Sequence, residues 1–339
     1  MGELPRTTLV PFRTLDYALT SLSANEDAGL KKAITLLLRG DLEGGFSLYR
    51  ACLAGGRVAD QPIGAHLILL QQAGHDETAR RLLKLALHHG VNVAARAGWF
   101  SSEREAAAEY EQLFAQGIAN SRMVSEHLRV LAKLGQFTEI REIIDPDQCL
   151  RMVQLKSRHS SVAGLAAAVE QLLIELEPTA EKLEAVKSVR KMRKVKHLSE
   201  LDDHRSVKLT KALNYQAERY LNDWRRSHHP LAHLVPTRWR LHAWGLISRG
   251  DGYNMPHFHH KGWATGVYYP TTLEDGEGGE LFIGRPAGVP GNDSDWGAMR
   301  IRPRAGLLVL MPSYYMHWTV PLERPGLRAS VAFDLLPEA

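Results

Sequence analysis

The sequence predicts an α+β protein, with an α-helical repeat region followed by an antiparallel β-domain closed as a barrel or jelly roll. Three observations carry that expectation. Residues 24–180 are rich in Ala, Leu, Glu, Gln and Arg, with apolar residues at helical spacing, as in "RRLLKLALHHG" and "SEHLRVLAKLG". The helical runs stop at glycines, the residue that most cheaply adopts the left-handed turn closing a helix. From about residue 238 the helical period vanishes, and short aromatic and aliphatic runs punctuated by Gly, Pro, Asn and Asp replace it.

In the first region Gly40 and Gly74 lie 34 residues apart, each with a leucine four positions earlier, Leu36 and Leu70. Leu131 and Gly135 repeat the pair off that register. Helix, glycine turn and helix at this period predict tetratricopeptide-like helical repeats over 1–180. Residues 181–339 form the second expected domain, with its core at 238–336. It opens on a basic stretch, "KLEAVKSVRKMRKVKHLSELDDHRSVKLTK", whose Lys and Arg residues would cover most sides of a helix. A solvated helix or linker is expected there. "LTKALNYQAERYLNDWRRSHHP" reads as an amphipathic helix ended by Pro230. Then "RLHAWGLIS", "WATGVYYP", "GELFIG", "GLLVLMPS" and "ASVAFDLL" read as strands. They leave no room for crossover helices, so the pairing is antiparallel, and a jelly roll removes the exposed edges.

Composition excludes several classes. With 44% apolar and 24% charged residues in 339, the chain can bury a large core and is not disordered as a whole. A net charge of +4 spread over this length is weak evidence for nucleic-acid binding. No apolar run is long enough to span a membrane. The two cysteines form no C-x-x-C pair and the amino terminus lacks a leader pattern, so a cytoplasmic protein with reduced thiols is expected.

The chemistry gathers in "NMPHFHHKGWATGVYYP", residues 254–270. His257 and His259 are two apart and so face one way on an extended segment. His317 lies far along the chain, after the apolar strand 307–312, and a jelly roll can bring it alongside. A close pair plus one distant imidazole leaves one side of an octahedral ion open, which suits non-haem Fe(II). His260 is expected on the opposite face, and His228 and His229 in a loop. Eleven residues after His317, Arg328 and Ser330 share a face of the last strand. A guanidinium in an apolar strand asks for an anion, and a carboxylate fits its fork. Trp263, Trp318 and Tyr315 flank the histidines and could wall a cavity, although aromatics near strands more often belong to the core.

In combination these motifs resemble the 2-oxoglutarate-dependent Fe(II) oxygenases, in the prolyl-hydroxylase-like branch with a double-stranded β-helix (jelly roll), over roughly residues 240–336. They are H-x-H at 257–259, "TGVYYP" at 265–270, "GGELFIG" at 278–284, "P-x-x-G-x-L-V-L-x-P-S" leading to His317, and R-x-S at 328–330. The resemblance implies His257 and His317 as iron ligands and Arg328 and Ser330 as partners of the distal carboxylate of 2-oxoglutarate. It adds a phenol hydrogen bond from Tyr269, and Thr265 as a small polar residue lining the same pocket. Fe(II), 2-oxoglutarate and O2 are the implied cofactors.

One position departs from the family. Where most members place Asp or Glu two residues after the first histidine, this chain has His259. Either His259 completes an all-nitrogen triad, which is the favoured reading, or only two histidines bind, or a carboxylate comes from elsewhere, with Asp251 a poor candidate. The expected reaction is hydroxylation of an unactivated C–H bond, on a peptide or protein side chain because helical repeats commonly hold peptides. A small-molecule substrate, a three-histidine cupin-type dioxygenase without 2-oxoglutarate, and a non-catalytic repeat scaffold are the alternatives. The helices also leave an oligomer possible.

Overall fold

The computed structural model describes residues 27–55, 60–91, 93, 100, 102–155, 162–273, 278–284 and 299–338. The amino-terminal stretch read for a leader lies outside them. The chain divides into two compact units, Met1–His127 and Leu128–Ala339. Among the described residues no helix is long and apolar enough to cross a membrane.

The first unit is helical: Ala28–Leu38, Leu42–Ala54, Asp60–Gln72, Asp76–His88 and Glu103–Ala115. Side-chain caps open three of these helices, with Asp27 accepting from Gly29 N–H at 2.6 Å, Asp41 from Gly44 N–H at 3.0 Å and Ser102 from Glu105 N–H at 3.1 Å. The leucine–glycine pairs close Ala28–Leu38 and Asp60–Gln72. Gly40 (φ 85°) and Gly74 (φ 78°) turn left-handed, and the next residue's N–H bonds the carbonyl of Leu36 at 3.0 Å or Leu70 at 2.8 Å. This is the Schellman closure, which explains why leucine and glycine recur four apart. The same bond joins Gln136 N–H to Leu131 O at 2.9 Å past Gly135 in the second unit. Ile34, Leu37, Ile63, Leu67, Leu82 and Leu83 form the buried stripes, and Tyr49 meets His66 Nδ1 at 2.6 Å inside.

The second unit is built on two antiparallel sheets. Its strands are β1 (Arg151–Gln154), β2 (Glu181–Val186), β3 (Val189–Val195), β4 (Trp239–Ser248), β5 (Tyr253–Asn254), β6 (Ala264–Tyr269), β7 (Leu281–Gly284), β8 (Met299–Ile301), β9 (Leu307–Pro312), β10 (Met316–Thr319) and β11 (Arg328–Pro337). The larger sheet has eight strands in the order β1-β9-β6-β11-β4-β3-β2, with β5 on β3, and the smaller runs β10-β7-β8. This is a curled antiparallel half-barrel consistent with a jelly roll, preceded by helices, as expected. Helix Val162–Leu176 covers the outer face at Gly245, where a Cβ would come within 2.5 Å of Leu173. Trp224 of helix His204–Arg225 meets Trp263 edge to face at 5.0 Å.

The expectation of a helix or linker over the basic stretch is corrected: residues 181–195 form the hairpin β2–β3. Leu183, Met192 and Val195 are buried, and β3 pairs with β4 through Arg193–Ile247, Lys194–Leu246 and Val195–Gly245. Lys and Arg have fair helix propensity, and the non-local sheet edge overrides it.

Register decides which side chains share the concave face. Directly opposed residues point the same way. His242, Asp334, Thr265 and Met311 form one row across β4, β11, β6 and β9. Trp244, Ala332 and Val267 form the next, and Lys194, Leu246 and Ser330 the third, reaching onto β3.

Candidate metal centre and anion socket

His257 and His317 are joined by the backbone before any side chain is considered. They form an isolated antiparallel bridge, His257 N–H to His317 O at 3.0 Å and His317 N–H to His257 O at 2.9 Å. Two residues facing each other this way present their side chains to one side. His259 follows on the same side, its N–H bonded to Ser313 O at 3.0 Å. The ring centroids lie 4.4 Å apart for 257 and 317, 5.0 Å for 259 and 317, and 5.2 Å for 257 and 259. One nitrogen from each ring falls within 4.8 Å of the other two.

Each Nδ1 faces an acceptor. His257 Nδ1 lies 2.8 Å from Met255 O, His317 Nδ1 3.1 Å from Tyr315 O, and His259 Nδ1 2.5 Å from Asp334 Oδ1. Carbonyls and carboxylates only accept, so each Nδ1 carries the proton and each Nε2 presents a lone pair. The Nε2 atoms of His257 and His259 then face each other at 3.3 Å, two lone pairs that a cation between them would reconcile. Burial pushes His257 down to about 4 and His317 well below its ordinary value, with the neighbouring imidazoles adding to both. Neutral imidazoles are what a metal requires. The donor set fits a divalent ion.

A cavity of about 630 Å³ opens beside the histidines and is lined also by Thr265, Tyr269, Arg328, Ser330 and Asp334. Arg328 is 1% exposed, and its Nε and Nη1 have no hydrogen-bond partner. Burial pushes the guanidinium down, opposed by the Tyr269 phenol beside it, whose own ionisation burial drives up to about 12. A fully buried, unsatisfied guanidinium facing a cavity is a socket for an anion. Ser330 shares its face, 2% exposed. Thr265 also lines the cavity, but its hydroxyl already donates to Phe333 O at 2.9 Å and lies 3.1 Å from His259 Nδ1. It braces the imidazole from behind.

All seven residues singled out by sequence therefore border one cavity. Phe258, His260 and Lys261, which alternate with or follow the two histidines, also border it. The aromatic wall does not form from Trp263, Trp318 or Tyr315. Trp263 packs on Trp224, Trp318 stacks on Phe282 at 5.4 Å, and Tyr315 is fully buried. Trp244 takes that place, stacked on His259 with centroids 5.7 Å apart and planes at 25°. Asp334 was likewise missed. Its signal was present, since 328, 330, 332 and 334 follow one another at the strand period on β11. Asp251 pairs with Lys191 on the surface. Among the described residues a second group, His197, Glu200 and His242, also brings three ligand atoms within 4.8 Å of one another. His197 and Glu200 are exposed and lie outside the cavity that holds Arg328.

Residues 242–334 match a family model described as "Putative 2OG-Fe(II) oxygenase". No curated protein matches the chain. Solved structures similar to it include a prolyl-4-hydroxylase of Pseudomonas putida, at 12% identity over 58% of this chain and 97% of that one, TM-score 0.43. Others are a Trichoplax adhaerens prolyl hydroxylase in complex with a hypoxia inducible factor peptide fragment (15%, 60% and 92%, 0.42) and HygX of Streptomyces hygroscopicus with nickel, 2-oxoglutarate and hygromycin B (12%, 58% and 86%, 0.35). The matched stretch, 242–334, carries the three histidines, Arg328 and Ser330, and its homology is to the 2-oxoglutarate- and Fe(II)-dependent oxygenases, dioxygenases that use Fe(II), 2-oxoglutarate and O2.

Proposed function

We propose that this oxygenase hydroxylates an unactivated C–H bond on a peptide or protein side chain, with His257, His259 and His317 holding the iron and Arg328, Ser330, Tyr269 and Thr265 forming the 2-oxoglutarate pocket. When bound, Fe(II) with 2-oxoglutarate and O2 supplies the oxidising power for such a bond. The protein supplies placement. Met255 O, Tyr315 O and Asp334 hold the three imidazoles in one tautomer with Nε2 inward. Arg328 takes the distal carboxylate in a dry socket, with Ser330 and the Tyr269 hydroxyl completing it. Trp244 and the sheet exclude water from one side.

The observation that carries the reading is the pairing of three inward lone pairs with an orphaned buried guanidinium in a single cavity. The guanidinium also weighs against a three-histidine dioxygenase that needs no dicarboxylate. A small-molecule substrate is the second reading, favoured by a cavity within the usual small-ligand range. Two free cysteines, Cys52 and Cys149, fit a reducing compartment such as the cytoplasm. Anaerobic reconstitution with Fe(II) and 2-oxoglutarate tests the proposal. A visible charge-transfer band in wild type, lost in His317→Ala, is expected; folded wild type that takes up Fe(II) yet shows neither the anaerobic band nor succinate once O2 is admitted overturns it.

A further inference from the structure

The concave face holds a second cation that, among the described residues, makes no ion pair. Lys194 projects from β3 in the row of Leu246 and Ser330, lines the cavity that contains the histidines, and is half-buried. Its ammonium stands over the Trp244 ring, 4.8 Å from the centroid, and Trp244 in turn stacks on His259. Among the described residues no carboxylate lies within 4.0 Å of it. The two acids whose charge reaches it are already engaged: Glu181 with Lys196 at 3.2 Å and Asp334 with His259 at 2.5 Å. Burial pushes the ammonium below its ordinary value, and the more distant charges of Glu181 and Asp334 only partly offset it. A lysine whose only task was to cover Trp244 would carry its head into water. This one is held over the ring, on the cavity side.

Resting on the oxygenase reading above, we infer that the substrate carries a carboxylate, which Lys194 anchors against the face of Trp244. Arg328 and Lys194 divide the work by depth. The deeper cation receives the cosubstrate, and the shallower one, two ring contacts from His259, receives the molecule to be oxidised. Lys187 and Lys261 also border the cavity but are exposed, so Lys194 is the lysine held off solvent at the wall, and a singly charged carboxylate matches that single half-buried ammonium. The group belongs either to an acidic residue within a peptide or to a free acid, and the recognition chemistry is the same for both.

The test loads the full chain with Zn(II), which cannot turn over, and saturating 2-oxoglutarate, so that the Arg328 socket is filled. Binding of N-acetylglutamate α-amide is compared with that of its neutral isostere N-acetylglutamine α-amide, and free glutamate with free glutamine, by ligand-observed NMR. Wild type is expected to favour the acid over the amide by about tenfold in at least one pair, and the pair that responds identifies peptide or free acid as the source. Lys194→Met should bring the ratio to about one, and Lys194→Arg should restore most of it, with melting curves confirming that both variants fold. Equal binding of acid and amide in wild type, including no binding of either, overturns the inference, as does a preference that survives in Lys194→Met. Failure of wild type to bind 2-oxoglutarate would instead strike the oxygenase reading, while the acid-to-amide ratio still reports on Lys194.

Discussion

Replacing Arg328 with methionine should make the protein more stable and blind to its cosubstrate. The guanidinium is 1% exposed, and two of its nitrogens lack partners. Each unsatisfied buried donor costs roughly 1–3 kcal/mol, more when charged. Methionine fills much of the same space and buries without that penalty, while some packing of the guanidinium plane is lost. The balance is a gain of about 2 kcal/mol without ligand, or a rise in Tm of about 4–8 °C for a unit of this size. Wild type should gain stability from 2-oxoglutarate, and the variant should not. At a hundred times its Kd the ligand adds about 2.7 kcal/mol, and losing a buried charge partner weakens binding by roughly 2–5 kcal/mol. Thermal melting of Zn(II)-loaded protein with and without 2-oxoglutarate reads both effects. A variant that melts lower than wild type and still gains full stabilisation from 2-oxoglutarate would refute the anion-socket argument.

Three further outcomes follow from particular contacts. Asp334→Ala removes the acceptor that holds His259 Nδ1 at 2.5 Å, so metal affinity by competitive titration should fall about 10- to 100-fold, and unchanged affinity would remove Asp334 from the site. In the helical unit, burial holds His66 and His127 neutral, each lowered from 6.5 to about 4. The unfolded chain takes up these protons below about 6.5 and the folded chain does not, so their contribution is complete above that pH and drains away towards pH 4, by up to about 3 kcal/mol each. Urea midpoints between pH 7 and 4.5 should drop for wild type and less steeply for His66→Phe; parallel slopes would contradict this. Gly252→Ala would place a Cβ 2.3 Å from the Lys191 carbonyl oxygen, and shifting the β3 backbone should cost about 1–3 kcal/mol, measured as a lower Tm.

The local signals survived folding intact. Leucine–glycine pairs four apart became left-handed helix closures because the bond from the residue after glycine to that leucine carbonyl spans a single turn. H-x-H and R-x-S placed each pair on one face because strand side chains alternate, whatever the surrounding fold. The basic stretch 181–195 was misread because its charges carry no strand period, and only the free edge of β4 selects the extended form.

Sequence alone thus determined the order of helical and sheet regions, the three imidazoles, and the arginine with its serine. Tertiary structure decided what stands behind and around them. Asp334 reaches His259 across 75 residues, Lys194 reaches Trp244 from a hairpin that looked helical, and Trp244 rather than its better-placed rivals walls the site. These choices rest on strand register, which opposes residues far apart in the chain and leaves no trace in the spacing of either strand by itself.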